Sequence, residues 1–345
     1  MSLSSPAANG LSIDSQELKA RVRRFAEAQE AIKREVHQVI VGQEEVIEHV
    51  LISLFVGGHC LLTGLPGTAK TLLVRTMAQT LGLKFNRIQF TPDLMPSDIT
   101  GTDIIEEDQA TGQRAWTFVA GPIFSNVLLA DEINRTPPKT QSALLEAMQE
   151  LSCTVRGHQY KIAPPFIVLA TQNPIELEGT YPLPEAQLDR FLFNTVLDYL
   201  GADDELKVVD LTTTTHTPAA STITGGEEIL DFQQLVRMTP VAESVSRYAV
   251  ELVRATRPTG GEVADFVRKY VNFGASVRAA QFLVLAGKAR ALMHGRFHVS
   301  YDDIRALATP ILRHRVLLNF HAESERITSD EILRRLLEWK TAPRG

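Results

Sequence analysis

The sequence predicts an α/β domain at residues 16–200, followed by an all-α domain at residues 227–345. The first observation is a strand, a glycine-containing turn and a helix in succession at residues 60–81. The second is a set of short apolar runs with the length of buried strands, including Ser125–Ala130 and Phe166–Ala170. The third is a change of composition near Leu200, after which apolar residues recur at helical spacing.

The strand, turn and helix at residues 60–81 predict a phosphate-binding loop. Unpaired backbone N–H groups and the helix dipole converge on one anion site at such a junction. In this pattern Lys70 meets the β- and γ-phosphates and Thr71 meets a magnesium ion, and Gly82 ends the helix. The predicted nucleotide contacts are Gly64, Leu65, Pro66, Gly67, Thr68, Ala69, Lys70, Thr71 and Leu72.

The residue before the lysine departs from the general phosphate-loop pattern, which has glycine there. Ala69 would cost about 1–2 kcal/mol if this position needed a left-handed backbone. It would cost nothing if it already lay in the first helical turn, and we expect this second case. A strand-to-helix turn without a ligand is the alternative interpretation, and the later motifs count against it.

Composition excludes several classes of protein. The 345 residues are 44% hydrophobic and 22% charged, as in an average globular protein, and the net charge of −6 gives no general attraction to nucleic acid or anionic membranes. Cys60 and Cys153 lack partners at the spacings of a disulfide framework or a zinc site. No apolar run approaches the roughly 20 residues of a membrane span, and the first ten residues lack an export signal. We therefore expect a cytoplasmic protein.

The N-terminal part of the chain leads up to the phosphate loop. Residues 1–15 are expected to be disordered, and residues 16–39 show helical periodicity. Val41 and Gly42 lie in an apolar turn before a second helix, and they predict an adenine slot. Simple packing of the two helices explains the same periodicity equally well, so both interpretations stay open.

A second strand is predicted at residues 84–90, followed by a long irregular segment at residues 91–122 with short β-like pieces at 102–105 and 115–119. Long excursions inside an α/β domain are usually functional. Residues 151–161 alternate around Gly157 and predict a hairpin.

Polar residues follow two of the apolar strands. Asp131 and Glu132 come directly after Ser125–Ala130, and Phe166–Ala170 is followed by Thr171-Gln172-Asn173. Open α/β sheets bind ligands at the carboxyl ends of their strands. Asp131 would therefore hold magnesium, directly or through water, and Glu132 would polarise the attacking water.

The remaining elements are predicted from caps and periodicity. Thr136 as cap and Pro137 in the first turn begin a helix between these strands, and Arg190 precedes a strand at residues 191–197. The Thr-rich segment 201–226 is expected to be a flexible connection. Helices are predicted at 240–257, 277–293, 301–319 and 330–340; Ser300 and Asp303 form a capping box, and Pro310 should kink or divide its helix.

These motifs together resemble the MoxR-type AAA+ ATPases. The loop at 64–71 resembles their Walker A, including the alanine before the lysine, and residues 129–135 with 139–148 resemble Walker B and the helix after it. Residues 170–174 are similar to sensor 1, 187–191 to the arginine-finger segment and 274–279 to sensor 2. The resemblance covers about residue 35 to the C-terminus. It departs from the family at Val277, where proline is frequent, and in the Thr-rich insertion.

The resemblance implies a P-loop αβα sandwich with a five-stranded parallel sheet, followed by a helical lid. Segment 91–122 would be the helix-2 insert and 151–161 the pre-sensor-1 hairpin. ATP and Mg²⁺ are the implied cofactors. The implied catalytic residues are Lys70, Glu132, Asn173, Arg190 and Arg278, with Arg278 also contacting the nucleotide. Arg190 is expected to reach the ATP of a neighbouring subunit, and a structural salt bridge is the alternative for Arg278.

The family also implies a homo-oligomer, a hexameric ring, acting as a chaperone that matures partner proteins or inserts their metal cofactors. Partners with von Willebrand factor A domains are expected.

The main alternative is a nucleic-acid motor that uses Arg156, His158 and Lys161 on the hairpin, but three basic residues in an acidic chain disfavour it. A P-loop kinase is disfavoured because the sequence shows no recognisable acceptor site. A nucleotide sensor without turnover is disfavoured by Glu132. The client, the oligomer size and the cis or trans action of the two arginines are not determined by the sequence.

Overall fold

A computed structural model of the chain describes residues 15–107, 114–174, 179–215 and 218–342. The segment expected to be disordered lies outside these ranges except for Ser15, which begins the first helix. The strands are β1 (Cys60–Gly64), β2 (Phe85–Gln89), β3 (Gly101–Glu107), β4 (Arg114–Ala120), β5 (Val127–Asp131), β6 (Ser152–Val155), β7 (His158–Lys161), β8 (Ile167–Gln172), β9 (Phe193–Leu197), β10 (Val271–Phe273) and β11 (Leu317–Leu318). The helices are α1 (Ser15–His37), α2 (Glu44–Val56), α3 (Lys70–Thr80), α4 (Pro96–Thr100), α5 (Pro138–Glu150), α6 (Glu185–Leu188), α7 (Ala202–Thr212), α8 (Gly226–Met238), α9 (Glu243–Ala255), α10 (Asp265–Tyr270), α11 (Val277–Met293), α12 (Tyr301–Leu312), α13 (Phe320–Ser324) and α14 (Ser329–Trp339).

A five-stranded sheet in the order β2-β5-β8-β1-β9 forms the centre of the first domain, and its paired strands are all parallel. This confirms the predicted αβα fold. Parallel strands place their carboxyl ends at one edge of the sheet. The ends of β1, β5 and β8, which carry the predicted nucleotide site, therefore meet there.

The two faces of the sheet belong to different cores. Along β5, Val127 and Leu129 join the core formed with α1, α2, α3 and the lid helices, whereas Leu128 and Ala130 join the core under α5. Successive side chains of a strand point to opposite faces, so a continuous apolar run can supply both layers. The lid is thus packed on one face of the nucleotide domain rather than joined to it by a tether alone.

The long segment after β2 is more regular than expected. The β-like pieces pair as an antiparallel hairpin, with Ile105 opposite Trp116, preceded by the short helix α4. Residues 108–113 between its strands lie outside the described residues. The predicted hairpin at residues 151–161 is confirmed as β6 and β7. The two hairpins pack together, since the rings of Phe118 and Tyr160 stack 3.8 Å apart.

The expected cap of α5 is wrong. The helix begins at Pro138 with Pro137 as its cap residue, and Thr136 is extended (φ −114°, ψ 147°). A residue that precedes proline is driven out of the helical region. Because Thr136 precedes Pro137 and Pro137 precedes Pro138, the extended conformation is favoured at both positions.

The segment 201–226, for which a flexible connection is predicted, contains a helix. It begins with α7, whose first turn carries Asp203, Asp204 and Glu205, acids that favour a helix N-terminus. The following chain is tied to neighbouring helices, since the Ile223 N–H donates to the Thr80 carbonyl at 2.8 Å. Residues 216 and 217 lie outside the described part.

The lid is helical, as predicted, and it contains in addition one short antiparallel pair, β10 with β11. The helix predicted at 301–319 ends at Leu312, two residues after Pro310. The capping box is confirmed, because Ser300 and Asp303 exchange backbone-to-side-chain hydrogen bonds. Within the described ranges, no helix combines the length and the apolar character needed to cross a membrane.

Candidate nucleotide-binding site

The loop between β1 and α3 contains two residues with left-handed backbone. Gly67 has φ 83°, and Ala69 has φ 59° and ψ 23°. The expectation that Ala69 lies in the first helical turn is therefore wrong. Ala69 caps the helix instead, and its carbonyl accepts the first helical hydrogen bond, from the Leu73 N–H at 2.9 Å. This conformation costs an alanine about 1–2 kcal/mol, a strain that functional loops frequently carry.

The ammonium group of Lys70 lies inside this loop. It donates hydrogen bonds to the carbonyls of Gly64 at 2.8 Å and Leu65 at 2.6 Å, and to the Thr68 hydroxyl at 3.3 Å. Burial lowers the pKa of Lys70, while the carboxylates of Asp131 and Glu132 act in the opposite direction. The cation therefore sits where the loop would surround a phosphate group, and a bound anion would favour its charged form.

The two acids are fixed by residues of the neighbouring strands. Asp131 is 8% exposed, and its carboxylate accepts from the Thr171 hydroxyl at 2.6 Å and from Arg87 Nη2 at 2.6 Å. The Glu132 backbone is left-handed (φ 56°), and its N–H donates to the same Thr171 oxygen at 2.8 Å. Thr171 therefore sets the relative position of both acids.

The carboxylate of Glu132 is held apart from that of Asp131. Its Oε2 accepts from Gln89 Nε2 at 2.8 Å and from Arg135 Nη1 at 3.1 Å. Neither Gln89 nor Arg135 was singled out by sequence reasoning. The signal for Gln89 was its position at the end of β2, the strand next to the one that delivers the acids.

A cavity of about 390 Å³ brings together the five predicted metal-binding and catalytic residues Lys70, Thr71, Asp131, Glu132 and Asn173. Five more predicted nucleotide contacts line it, and β8 supplies the remaining residues: Pro66, Gly67, Thr68, Ala69 and Leu72, with Thr171 and Gln172. The hydroxyl of Thr71 and the carboxylate of Asp131 are hard oxygen donors, the type that Mg²⁺ prefers, and Mg²⁺ usually takes only one or two protein carboxylates beside phosphate oxygens. The donor set thus fits a magnesium–triphosphate complex.

A second cavity, of about 370 Å³, adjoins the first and shares residues 67–69 and Leu72 with it. It is mainly apolar, as a binding site for a purine base would be. The expected adenine slot contributes Val41, with Val39 and Ile40. The other wall comes from residues 198–200, which follow β9, and from α7. Gly42 brings the turn against this wall: its φ is 65°, and a Cβ atom there would lie 3.1 Å from Leu200 Cδ2.

The wall formed by α7 was missed by sequence reasoning. The lining residues Val208, Val209 and Leu211 recur on one side of the helix. Their spacing was a usable signal, but the threonine-rich composition of the following residues led us to expect a flexible connection.

The two predicted arginines do not line either cavity. Arg190 lies just before β9, and β9 runs parallel to β1 with Phe193 opposite Cys60. Arg190 is therefore at the amino edge of the sheet, and its Nη1 donates to the Leu145 carbonyl at 2.9 Å. Arg278 lies in the first turn of α11, with Nη1 3.2 Å from Asp189 Oδ2. The structure thus places both arginines together and away from Lys70 of the same chain.

Comparison with protein families gives two matches in this chain. The family model of ATPases associated with various cellular activities (AAA) matches residues 59–193, and the model of the AAA lid domain matches residues 264–336. The first contains the phosphate loop, the acid pair and Arg190. The second contains Arg278.

Several proteins are similar over most of the chain. Chaperone MoxR1 of Mycobacterium tuberculosis is 41% identical over 90% of this chain and 81% of its own length, and Protein MoxR of Paracoccus denitrificans is 32% identical over 86% and 89%. The uncharacterised protein YeaC of Bacillus subtilis is 42% identical over 89% and 92%. A crystal structure of an ATPase candidate from Cytophaga hutchinsonii superposes with a TM-score of 0.87 at 42% identity, covering 94% of this chain and 97% of that one.

Proposed function

This chain belongs to the MoxR family of AAA ATPases, and from that premise we propose that it hydrolyses Mg²⁺–ATP in a homo-oligomer to remodel partner proteins. The convergence of Lys70, Thr71, Asp131, Glu132 and Asn173 on one cavity carries the proposal. These five residues supply a phosphate-binding cation, oxygen ligands for a metal, and two polar groups that can align a water molecule.

Each residue has a distinct role in the proposed reaction. Lys70 and the loop N–H groups bind the β- and γ-phosphates, and Thr71 and Asp131 would hold the magnesium, directly or through water. When bound, Mg²⁺ supplies charge compensation for the phosphates. Glu132 polarises the attacking water and Asn173 orients it. For this Glu132 must exchange its contacts with Gln89 and Arg135 for contact with the water.

The adjoining apolar cavity is the proposed site of the adenine ring. Val41, Gly42 and Leu72 lie beside the loop, and α7 covers the opposite side. The shared boundary of the two cavities at residues 67–69 supports a single nucleotide that spans both, with its base against α7 and its phosphates against Lys70.

Arg190 and Arg278 are proposed to act on the ATP of a neighbouring subunit. Strand β1 has five residues, so its two ends are roughly 13 Å apart, and Arg190 lies before the amino end of the adjacent strand. Arg278 is held beside it through Asp189. A ring, hexameric as the family suggests, would bring this edge of one subunit to the loop of the next. Hydrolysis would then require assembly.

The biological role rests on the relatives. The Mycobacterium tuberculosis relative is named a chaperone, which supports a role in remodelling other proteins. We propose that this role is the maturation of client proteins or the insertion of their metal cofactors. Clients or partners with von Willebrand factor A domains, and a cytoplasmic location, are part of the same proposal. The nucleic-acid alternative gains little support, because Arg156 already lies over the Trp116 ring, 4.5 Å from its centroid.

The variant Glu132→Gln tests the proposed chemistry. It should bind ATP as well as the wild type and lose turnover, because the amide retains the shape but cannot act as a base. Lys70→Ala should weaken both binding and turnover. ATP binding measured by calorimetry, together with steady-state ATPase rates, separates the two. Hydrolysis by Glu132→Gln at the wild-type rate would show that another group activates the water.

A further inference from the structure

Arg315 lies three residues after α12, at the junction between the lid and the chain segment that carries Arg190. Its side chain is only 2% exposed. The guanidinium donates to Asp189 Oδ1 at 2.8 Å and to the Asp189 carbonyl at 2.9 Å. It also donates to the carbonyls of Phe191 at 2.5 Å and Leu192 at 3.3 Å, and to that of Ile311 in the preceding helix α12. A lid residue therefore holds the backbone on both sides of Arg190.

The chemistry of this contact requires arginine. Burial lowers the pKa of Arg315 to about 10, and Asp189 acts in the opposite direction. A buried charge is tolerated only when it is paired and its hydrogen bonds are satisfied. The planar guanidinium offers five donors in a fixed fork, which a lysine cannot reproduce. The ring of Phe282 on α11 lies under this plane, 5.1 Å away, so the guanidinium is oriented from the lid side as well.

Asp189 connects this contact to the second arginine of the edge. One of its oxygens accepts from Arg315, and the other accepts from Arg278 Nη1 and the Ser276 hydroxyl, both at 3.2 Å. Arg190 is the next residue in the chain, and its own side chain is placed by the Leu145 carbonyl. One buried cation thus sets the backbone of Arg190 and, through Asp189, the position of Arg278.

We infer that Arg315 is a positioning residue that holds Arg190 and Arg278 in the geometry needed to reach the ATP of the adjoining subunit. The inference rests on the proposed function, since it presupposes that these two arginines act there. A displacement of about 1 Å in a catalytic group can lower a rate about a hundredfold. Loss of the Arg315 contacts would therefore reduce turnover while leaving the nucleotide site of the same subunit intact.

The variant Arg315→Lys tests this inference, because it retains the charge and length but loses the fork. Its kcat should fall about a hundredfold with an unchanged KM for ATP. Arg313→Lys is the matched control. Arg313 precedes Arg315 by two residues and is half-buried, with 15% of its side chain exposed. It binds Asp330 and the Asn194 carbonyl, which lies beyond the Arg190 segment. Its variant should keep wild-type turnover.

Two further measurements separate positioning from a general loss of structure. Mixing Arg315→Lys with Glu132→Gln subunits should restore part of the activity, because the latter keep a well-placed Arg190 and bind ATP. The triple variant Arg190→Ala/Arg278→Ala/Arg315→Lys should be no slower than the double variant Arg190→Ala/Arg278→Ala, because both arginines that Arg315 positions are then absent. Weaker ATP binding, failure to assemble, absence of rescue, or an additional loss in the triple variant would assign Arg315 to folding and overturn the inference.

The reference variant Arg190→Ala separates a failure of the positioning role of Arg315 from a failure of the proposed trans function of Arg190. If Arg190→Ala is nearly inactive and Arg315→Lys turns over like the wild type, the positioning role is wrong and the proposed function stands. If Arg190→Ala is fully active, the proposed trans function is wrong, and the inference that depends on it is overturned with it.

Discussion

The carboxyl and amino edges of the parallel sheet differ in how much of the proposed reaction each contains. At the carboxyl edge, Lys70, Asp131, Glu132 and Asn173 line one cavity and are fixed by contacts within the same domain. At the amino edge, Arg190 and Arg278 are held beside Asp189 by the lid residue Arg315, away from both nucleotide cavities. In the proposed function, the first edge binds a nucleotide within one subunit, whereas the second acts on the nucleotide of a partner subunit.

This difference gives the lid two separate duties in the proposed function. Packing against α1 and α2 stabilises the nucleotide domain through a shared apolar core. The contacts at Asp189 are instead a few directional hydrogen bonds and ion pairs. In the proposed function they fix the positions of Arg190 and Arg278, rather than stabilising the fold as a whole.

The largest effect is expected when subunits with substitutions at opposite edges of the sheet are mixed. Lys70→Ala subunits should be nearly inactive because they lack the phosphate-binding cation. Arg190→Ala subunits should be nearly inactive because an arginine supplied in trans is worth about 10³–10⁵ in rate in well-studied systems. When mixed, they should recover activity, because an intact loop of one subunit meets an intact arginine of the other. ATPase rates of each variant and of mixtures at several ratios measure this.

Two results would contradict the assignment. Full activity of Arg190→Ala alone would reduce Arg190 to its hydrogen bond with the Leu145 carbonyl. Inactivity of the mixture, with assembly verified by sedimentation, would leave the two edges acting independently.

The sequence predicted the carboxyl edge better than the amino edge, for a physical reason. Residues 64–71, Asp131–Glu132 and Thr171–Asn173 are local motifs at strand ends, and parallel topology alone brings strand ends together. The contact of Arg315 with Asp189 joins residues 126 positions apart, and no periodicity or spacing connects them. The resemblance to a family identified Arg190 and Arg278 but not the residue that holds them.

The errors of prediction were also local in origin. The left-handed Ala69 could not be recognised, because a short sequence does not show whether a loop residue is the cap or the first helical position. The helix α7 was hidden by the threonines that follow it. Composition suggested a connection there, although the acids at residues 203–205 were a correct helix-start signal.

A smaller effect is expected at the base-binding wall of the carboxyl edge. Leu211 lines the apolar cavity, and its truncation in Leu211→Ala should weaken ATP binding by about 1–2 kcal/mol, since each buried CH₂ contributes about 0.8 kcal/mol. KM should rise about five- to thirtyfold with kcat unchanged, because the chemistry lies in the other cavity. The matched control is Leu206→Ala, on the same helix but 61% exposed and not lining the cavity.

Steady-state kinetics with ATP and with a triphosphate of a pyrimidine nucleoside would check this wall. Equal KM values for Leu211→Ala and Leu206→Ala would mean that α7 does not contact the base. A fall in kcat for Leu211→Ala would mean that the helix influences the phosphates, and the division of the site into two cavities with separate roles would have to be revised.

The smallest effect is expected outside both edges, on the hairpin formed by β6 and β7. Arg156 is already placed over the Trp116 ring, and His158 and Lys161 are the other basic residues of this hairpin. Neutralising about three phosphates gives only weak, salt-dependent binding, and the chain as a whole carries a net charge of −6. A short DNA duplex should therefore bind negligibly near physiological salt and should not stimulate hydrolysis. Arg156→Ala should leave the ATPase rate unchanged, as should Arg334→Ala on the distant lid helix α14. Tight binding that is lost in Arg156→Ala and retained in Arg334→Ala would contradict this expectation. The hairpin would then be a third functional region beside the two sheet edges, and the chain would be a nucleic-acid motor.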